Sequence, residues 1–350
     1  MNDHRCLITL EPLSNKTPQP QPGYSLQGIK QLVGFASNQL QLPFTRKQFV
    51  TEQPRLQQGL SISGYQPKLS LRLVDGVFTV VDAFGTYILK PSPEAYPYLA
   101  ENEHAIMTVM KRLGFAIPAF GLVRFKTDNT DKTAEVDELA FIIKRFDRDS
   151  DKQQKVHQEQ LDGAMGVNDK YGNINDEQTV SYESACGFLI NTIDSSLPFK
   201  KDLFLRVIYA YLLGNNDFHL RNLAVLIPQT AKNQLAPIYD FVSTAPYQST
   251  FTSCYLALPL LKIEEKSHEL APGYNTAYGQ PIGYDFIQLG QGLALNDKMV
   301  KKLIKGVVAK ADVVTSTLRH SFMPLDHCQQ VVRCFEHRLK LIQVLAYEPL

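Results

Sequence analysis

The chain has 350 residues and 44% hydrophobic content, enough to bury a sizeable core in one bilobal unit or two domains. Its 36 Lys and Arg nearly cancel 35 Asp and Glu, leaving a dispersed net charge of +1 that argues against strong direct DNA or membrane binding. No stretch approaches the roughly 20 apolar residues of a membrane helix, and no continuous apolar segment marks a secretory signal, so a soluble cytoplasmic protein is expected.

In chain order, Cys6 to Leu10 reads as a strand, the Pro/Gln stretch from Asn15 to Pro22 as an extended linker, and Leu26 to Phe35 as a helix. The segment Gly59-Leu60-Ser61-Ile62-Ser63-Gly64-Tyr65-Gln66-Pro67-Lys68 is rich in Gly and Ser and leads into Leu69, Leu71 and Leu73, which alternate with Ser70 and Arg72. That alternation predicts a half-buried strand, and Asp75-Gly76 predicts a tight hairpin turn before Val77 to Val81. Such a loop can cover phosphates, although the Gly-Lys-Ser/Thr of a Walker A loop is absent, and by itself it reads equally as a surface loop. Thr86 to Pro91 is an apolar strand carrying Lys90 near its end, and a helix opens at Glu101-Asn102-Glu103-His104 and runs to about Gly114. Leu139 to Arg148 is an apolar strand that ends in charge, suited to lining an adenine slot.

Beyond His157 helical patterns dominate: Tyr182 to Ile193, Leu203 to Leu213, Lys298 to Val308 and Gln329 to Leu345. Two polar stretches, Lys126 to Asp137 and Val167 to Gln178, read as loops, the second either lining a substrate entrance or, the favoured reading, only connecting helices. Residues 1–150 are therefore expected to form a β-rich N-lobe and 151–350 a mostly helical C-lobe, an α+β arrangement. The cysteines, Cys6, Cys186, Cys254, Cys328 and Cys334, are odd in number and lack a CxxC pair, which fits a reduced compartment. Cys328 and Cys334 would point away from each other on a helix, so with His327 and His337 they read as packing and surface residues, not zinc ligands.

The chemistry concentrates in Asn215-Asn216-Asp217-Phe218-His219-Leu220-Arg221-Asn222 and in Ile238-Tyr239-Asp240-Phe241-Val242-Ser243. Phosphoryl transfer needs a carboxylate beside the attacking hydroxyl, and an amide with a second carboxylate to hold Mg²⁺ against phosphate oxygens. Asp217 fits the first role, and Asn222 and Asp240 fit the second. A helix-ending turn would also use Asn and Asp, and Asp-x4-Asn alone is a weak pattern. The order Gly-rich hairpin, Lys90, Glu103, charged strand, Asp217, Asn222, Asp240 strengthens the catalytic reading, with Lys90 and Glu103 as the ion pair that orients ATP phosphates.

Ser-Ile-Ser-Gly-x-Gln-x-Lys at 61–68, Ile-Leu-Lys-Pro at 88–91, Asn-Glu at 102–103, Arg-Phe-Asp-Arg at 145–148, Asn-Asp-x-His-x-x-Asn at 216–222 and Tyr-Asp-x-x-Ser at 239–243 together resemble the HipA family of serine/threonine kinase toxins. The resemblance is greatest to the short HipT form. It implies a two-lobed protein-kinase-like fold, with ATP and Mg²⁺ as cofactors. It implies that Asp217 is the catalytic Asp, that Lys90 contacts ATP phosphates, and that Asn222 and Asp240 bind Mg²⁺. Ser63, Gly64, Lys68, Glu103, Arg145, Phe146 and His219 join the nucleotide site by the same resemblance, and Ser61 and Ser63 become autophosphorylation sites. A phosphoserine there would add about 1.5 to 2 negative charges beside the ATP phosphates and weaken nucleotide binding. The implied substrate is an aminoacyl-tRNA synthetase, the tryptophan enzyme in HipT-like members, whose loss would arrest translation and growth. The implied partners are a small HipS-like antitoxin and a HipB-like DNA-binding protein. Lys144 stands where HipA carries an acidic residue before Arg-Phe-Asp-Arg, a departure that bears on adenine contacts. A small-molecule kinase and a catalytically silent antitoxin-binding module are the alternative readings.

Overall fold

The computed structural model describes residues 4–14, 19–35, 40, 42–51, 67–127, 138–149, 154–247 and 255–350. Ser61, Ser63 and Gly64 lie outside the described residues, as does Cys254. The chain divides into two compact units, one of Met1–Thr108, Ile117–Lys155 and His320–Pro324, the other of Val109–Ala116, Val156–Arg319 and Leu325–Leu350. Among the described residues no helix is long and apolar enough to cross a membrane.

The first unit is built on five antiparallel strands: β1 (Leu69–Val74), β2 (Val77–Val80), β3 (Tyr87–Pro91), β4 (Phe120–Arg124) and β5 (Leu139–Lys144). Their order is β2-β1-β3-β5-β4, which makes β3 the central strand. Asp75 and Gly76, with φ of 49° and 84°, turn β1 into β2. Two successive positive φ values match the strand twist at a two-residue turn, and Gly and Asp adopt them most readily. Among the described residues two helices precede the sheet, α1 (Leu26–Val33), which ends at Gly34 with φ 91°, and the short α2 (Arg46–Thr51).

Helix α3 (Leu99–Leu113) follows β3 and is buried from Ala100 to Met110, polar residues Glu101, Asn102, Glu103 and His104 included. Ser92 Oγ accepts from the Ala100 amide at 2.9 Å and caps its first turn, and Lys111 and Arg112 complement the dipole in its last. The expected strand at Cys6 to Leu10 is instead a turn. Leu10 takes φ 61° and its amide donates back to the Cys6 carbonyl at 2.9 Å, which closes the chain on itself. This turn still reaches the sheet, because the Leu122 amide of β4 donates to the Leu7 carbonyl at 2.8 Å.

The second unit pairs a small antiparallel sheet with helices. Its strands are β6 (His157–Gln160), β7 (Ala224–Ile227) and β8 (Gln234–Leu235), with β7 in the middle. Helices α4 (Tyr182–Thr192), α5 (Leu197–Leu212), α6 (Gly283–Gly292), α7 (Asp297–Ala309), α8 (Ala311–Arg319) and α9 (Leu325–Leu341) make up most of the remainder. The core helix is α5, and burial is continuous from Val207 to Leu213. Tyr211 anchors it: its hydroxyl donates to the Pro281 carbonyl at 2.6 Å, and the Arg338 guanidinium of α9 lies 4.8 Å from its ring centroid. Pro237 to Tyr239 lies outside the sheet, whose last strand is the two-residue β8 just before it. The polar stretch from Val167 to Gln178 contains a small hairpin, Asn173–Ile174 with Glu177–Gln178.

Candidate active site

The segment from Asn215 to Asn222 begins where α5 must end. Gly214 takes φ 69°, a conformation that favours glycine and breaks the helix, and its carbonyl accepts from both the amide and the hydroxyl of Thr244 at 2.8 and 2.9 Å. Asn215, fully buried, accepts from the Asp217 amide through Oδ1 at 3.1 Å, the side-chain turn typical of Asn. The Asp217 carbonyl in turn accepts from the His219 amide at 2.8 Å, and residues Leu220–Asn222 form one turn of 3₁₀ helix. These bonds hold the Asp217 backbone on both sides, while its side chain keeps 37% exposure.

Asn222 ties the segment together. Its Nδ2 donates to the Asp217 carbonyl at 2.7 Å and, more weakly, lies 3.5 Å from the Asp240 carbonyl. Both neighbours are pure acceptors, so the amide nitrogen must face them and the amide oxygen, the atom a hard cation binds, turns away. Asp240 adopts φ 49°, an uncommon conformation for a non-glycine residue. Tyr239 beside it fixes that position by donating its hydroxyl to the Arg221 carbonyl at 2.8 Å, and Phe241 packs edge-on to Phe218 at 5.1 Å. The Phe218 carbonyl accepts from the Tyr182 hydroxyl at 2.6 Å. Aromatic residues on either side of the polar ones therefore anchor the backbone of Asp217 and Asp240 to the core.

His219 Nε2 lies 3.6 Å from Asp217 Oδ1, too far for a hydrogen bond, and its Nδ1 has no hydrogen-bond partner among the described residues. Burial lowers its pKa below the usual histidine value; the Asp217 charge opposes this and the Lys170 charge adds to it. The imidazole is thus neutral near pH 7. Among the described residues no group of three or more His, Cys, Asp or Glu side chains could hold a metal ion. An Asn oxygen and one Asp carboxylate nevertheless suit Mg²⁺, which is bound by few protein oxygens together with phosphates and water.

In the first unit, Lys90 of β3 and Glu103 of α3 form a buried ion pair at 2.6 Å, with side chains 3% and 1% exposed. The ammonium also lies 5.5 Å from the Phe141 ring centroid. Arg145 is held by Asp147 through Nε at 2.9 Å and Nη2 at 2.7 Å, and Arg148 joins the same carboxylate at 2.7 Å. Burial would raise the Asp147 pKa, but the Arg145 hydrogen bonds and the two guanidinium charges outweigh it and lower it. Phe146 and Lys68 are half-buried.

Sequence reading missed four supporting residues. Asp162 pairs with Arg221 at 2.6 Å, Lys170 offers its carbonyl to the Leu220 amide at 3.0 Å, Tyr171 sets its ring edge-on to His219 at 5.8 Å, and Asn215 holds Asp217. Only Asn215 lies within the motif, where spacing gives it no role of its own. The other three reach it from a segment about fifty residues earlier, a distance that no local spacing rule spans.

Residues 60–314 match the HipA-like C-terminal domain. The chain belongs to this HipA-like family. A Haemophilus influenzae protein provisionally named a kinase is 48% identical over 344 residues, covering 97% of this chain and 98% of that protein. A Sinorhizobium fredii protein, also provisionally named a kinase, is 30% identical over 167 residues, 47% of this chain and 38% of its own. Among solved structures, the HipA, HipB and operator DNA complex of Shewanella oneidensis MR-1 contains a chain similar in fold, with TM-score 0.61 and 18% identity over 96% of this chain and 78% of that one. The HipA-like chain therefore has a mixed fold of curled antiparallel sheet and helical C-terminal part, similar to that of HipA.

Proposed function

We propose that the chain is an ATP-dependent protein kinase acting on Ser or Thr hydroxyls. The observation that carries this reading is the Asn222 amide, which bonds the backbone of Asp217 and approaches that of Asp240, so that one side chain gathers a candidate base and two candidate metal ligands. The kinase names of the relatives support it. In this reading the acceptor oxygen attacks the γ-phosphorus of ATP, the bond to the bridging oxygen of ADP breaks, and the hydroxyl proton passes to the Asp217 carboxylate. Asn222 Oδ1 and the Asp240 carboxylate would hold Mg²⁺, which neutralises phosphate charge when bound. Lys90 would contact the phosphates, its charge oriented by Glu103.

The finer reading is a toxin kinase that phosphorylates an aminoacyl-tRNA synthetase, the tryptophan enzyme first, and phosphorylates its own Ser61 and Ser63. Loss of a charged tRNA would arrest translation. HipS-like and HipB-like proteins are the proposed partners, and the HipB in the complex of similar fold supports the second.

The test is incubation of dephosphorylated wild type and Asp217→Gln with Mg-ATP, followed by intact mass and mapping of the segment around Ser61. The expected result is phosphate at Ser61 or Ser63 in wild type only. Phosphate in neither protein, nor on the synthetase, would leave the small-molecule kinase or the silent module as the better reading.

A further inference from the structure

The segment that reads as a connector, Val167 to Gln178, is a built support for the catalytic segment. The Asp169 carboxylate accepts from the Tyr171 amide at 3.1 Å, the Asn173 amide at 2.9 Å and Asn173 Nδ2 at 3.0 Å, so one oxygen closes the turn that carries Lys170. Gln178 Nε2 donates to the carbonyls of Tyr171 and Val180 at 2.9 and 2.8 Å, and Thr179 donates its hydroxyl to the Gly172 carbonyl at 2.7 Å. Gly172, at φ 79°, could not accept a side chain there, because a Cβ would lie 2.8 Å from Val180 Cβ. One bond docks the turn onto the catalytic segment, Leu220 amide to Lys170 carbonyl at 3.0 Å, and Arg221 pairs at 2.6 Å with Asp162, which precedes the turn.

This framework fixes a cation. Lys170 Nζ lies 4.6 Å from the centroid of the Tyr171 ring, that ring meets His219 edge-on at 5.8 Å, and His219 Nε2 lies 3.6 Å from the Asp217 carboxylate. Lys170 is half-buried, and among the described residues no carboxylate lies within ion-pair distance of it. An ammonium held on an aromatic face near a phosphotransfer base, with no ion-pair partner among the described residues, is matched to an anion that arrives with the reaction.

We propose that Lys170 binds the equatorial oxygens of the phosphoryl group in transfer. The assignment rests on the kinase reading above. At the Asp217 end of the site the oxygen–phosphorus bond to the acceptor forms as the bond to ADP breaks, and the charge spread over the three phosphoryl oxygens is what a fixed cation there stabilises. Asn222 and Asp240 would hold the metal in the kinase reading, which leaves Lys170 to act on the transferring group and not on ATP affinity. A merely structural lysine would act through its carbonyl, which any side chain at 170 preserves.

The experiment compares wild type, Lys170→Met and Lys170→Arg in phosphorylation of the Ser61 and Ser63 segment at varied Mg-ATP, with thermal unfolding of each. Lys170→Met keeps the apolar stem over Tyr171 and removes the charge. Its maximal rate is expected to fall about 100-fold, with half-saturating ATP and Tm little changed, and Lys170→Arg is expected to recover most of the rate. A Lys170→Met rate within about threefold of wild type overturns the assignment. So does a fall in rate and Tm together that Arg does not restore. Wild type that transfers no phosphate overturns the kinase reading as well, and that outcome is visible without any variant.

Discussion

Two glutamates of α3 show how far a side chain's chemistry depends on its neighbours. Glu103 meets Lys90 at 2.6 Å, whereas Glu101, two residues earlier and 7% exposed, leaves Oε2 without a hydrogen-bond partner among the described residues. Burial pushes the Glu101 pKa up to about 7, against smaller lowering contributions from a backbone hydrogen bond, Ser92 and the Arg46 charge. Arg46 is engaged elsewhere, because its guanidinium donates to the Ser92 carbonyl and lies over Phe49 and Phe125. The unfolded carboxyl ionises near pH 4.5 and the folded one near 7, so the folded state holds the proton more tightly. Stability from this group is fully present below 4.5 and is lost as pH rises through about 7. Glu101→Gln, which cannot ionise, should therefore exceed wild type in stability by about 1–3 kcal/mol at pH ~8 and match it near pH ~4. Urea unfolding at the two pH values checks this, and equal differences at both would show that Glu101 does not titrate in that range.

At the scale of elements, α6 and α7 cross at a glycine. A Cβ on Gly290 would lie 2.2 Å from Val300 Cγ2 and 3.4 Å from both Val300 Cβ and Cγ1, and a β-branched side chain has little freedom to move aside. Gly290→Ala gains helix propensity but should still destabilise by about 1–3 kcal/mol through overpacking, with Val300→Ala in the same chain recovering part of the loss. Denaturant midpoints of the single and double variants measure both effects; a single variant more stable than wild type would refute the crossing. The same glycines explain why α6 is illegible in the sequence: Gly283, Gly290 and Gly292 lower its propensity, and its apolar residues gain meaning only from a partner helix. Helix α8 hides similarly behind the β-branched Val313-Val314-Thr315. By contrast the β1–β2 hairpin is legible, because Asp75-Gly76 and the alternation before it are local signals. The strand expected at Cys6 to Leu10 fails for the opposite reason, since an apolar run does not encode the positive φ at Leu10. In the candidate site, the residues adjacent in sequence can be read from spacing. Lys170 and Tyr171 cannot, because a backbone bond to Leu220 and a ring contact with His219 are formed only by the fold.

At the scale of the whole molecule, nucleotide binding should register as stability. A ligand that binds only the folded chain adds RT ln(1 + [L]/Kd), about 2.7 kcal/mol at roughly a hundredfold excess over Kd. For a domain of roughly 200 residues that corresponds to a rise in Tm of about 5–10 °C. The proposed roles of Asn222 and Asp240 make a sharper demand, because they concern the metal and not the nucleotide itself. Mg-ATP should raise the Tm of wild type more than ATP with EDTA, and Asp240→Asn should lose the magnesium-dependent part. The variant retains the Asp240 carbonyl that the Asn222 amide approaches, and Asn, like Asp, tolerates the φ of 49°. Thermal unfolding of both proteins under the three conditions, without ligand, with ATP and EDTA, and with Mg-ATP, separates metal binding from fold damage. A variant that keeps the full magnesium-dependent rise would remove Asp240 from the metal site. A variant with a lowered Tm before any ligand is added would instead place the Asp240 carboxylate in the folding of the segment that follows β8.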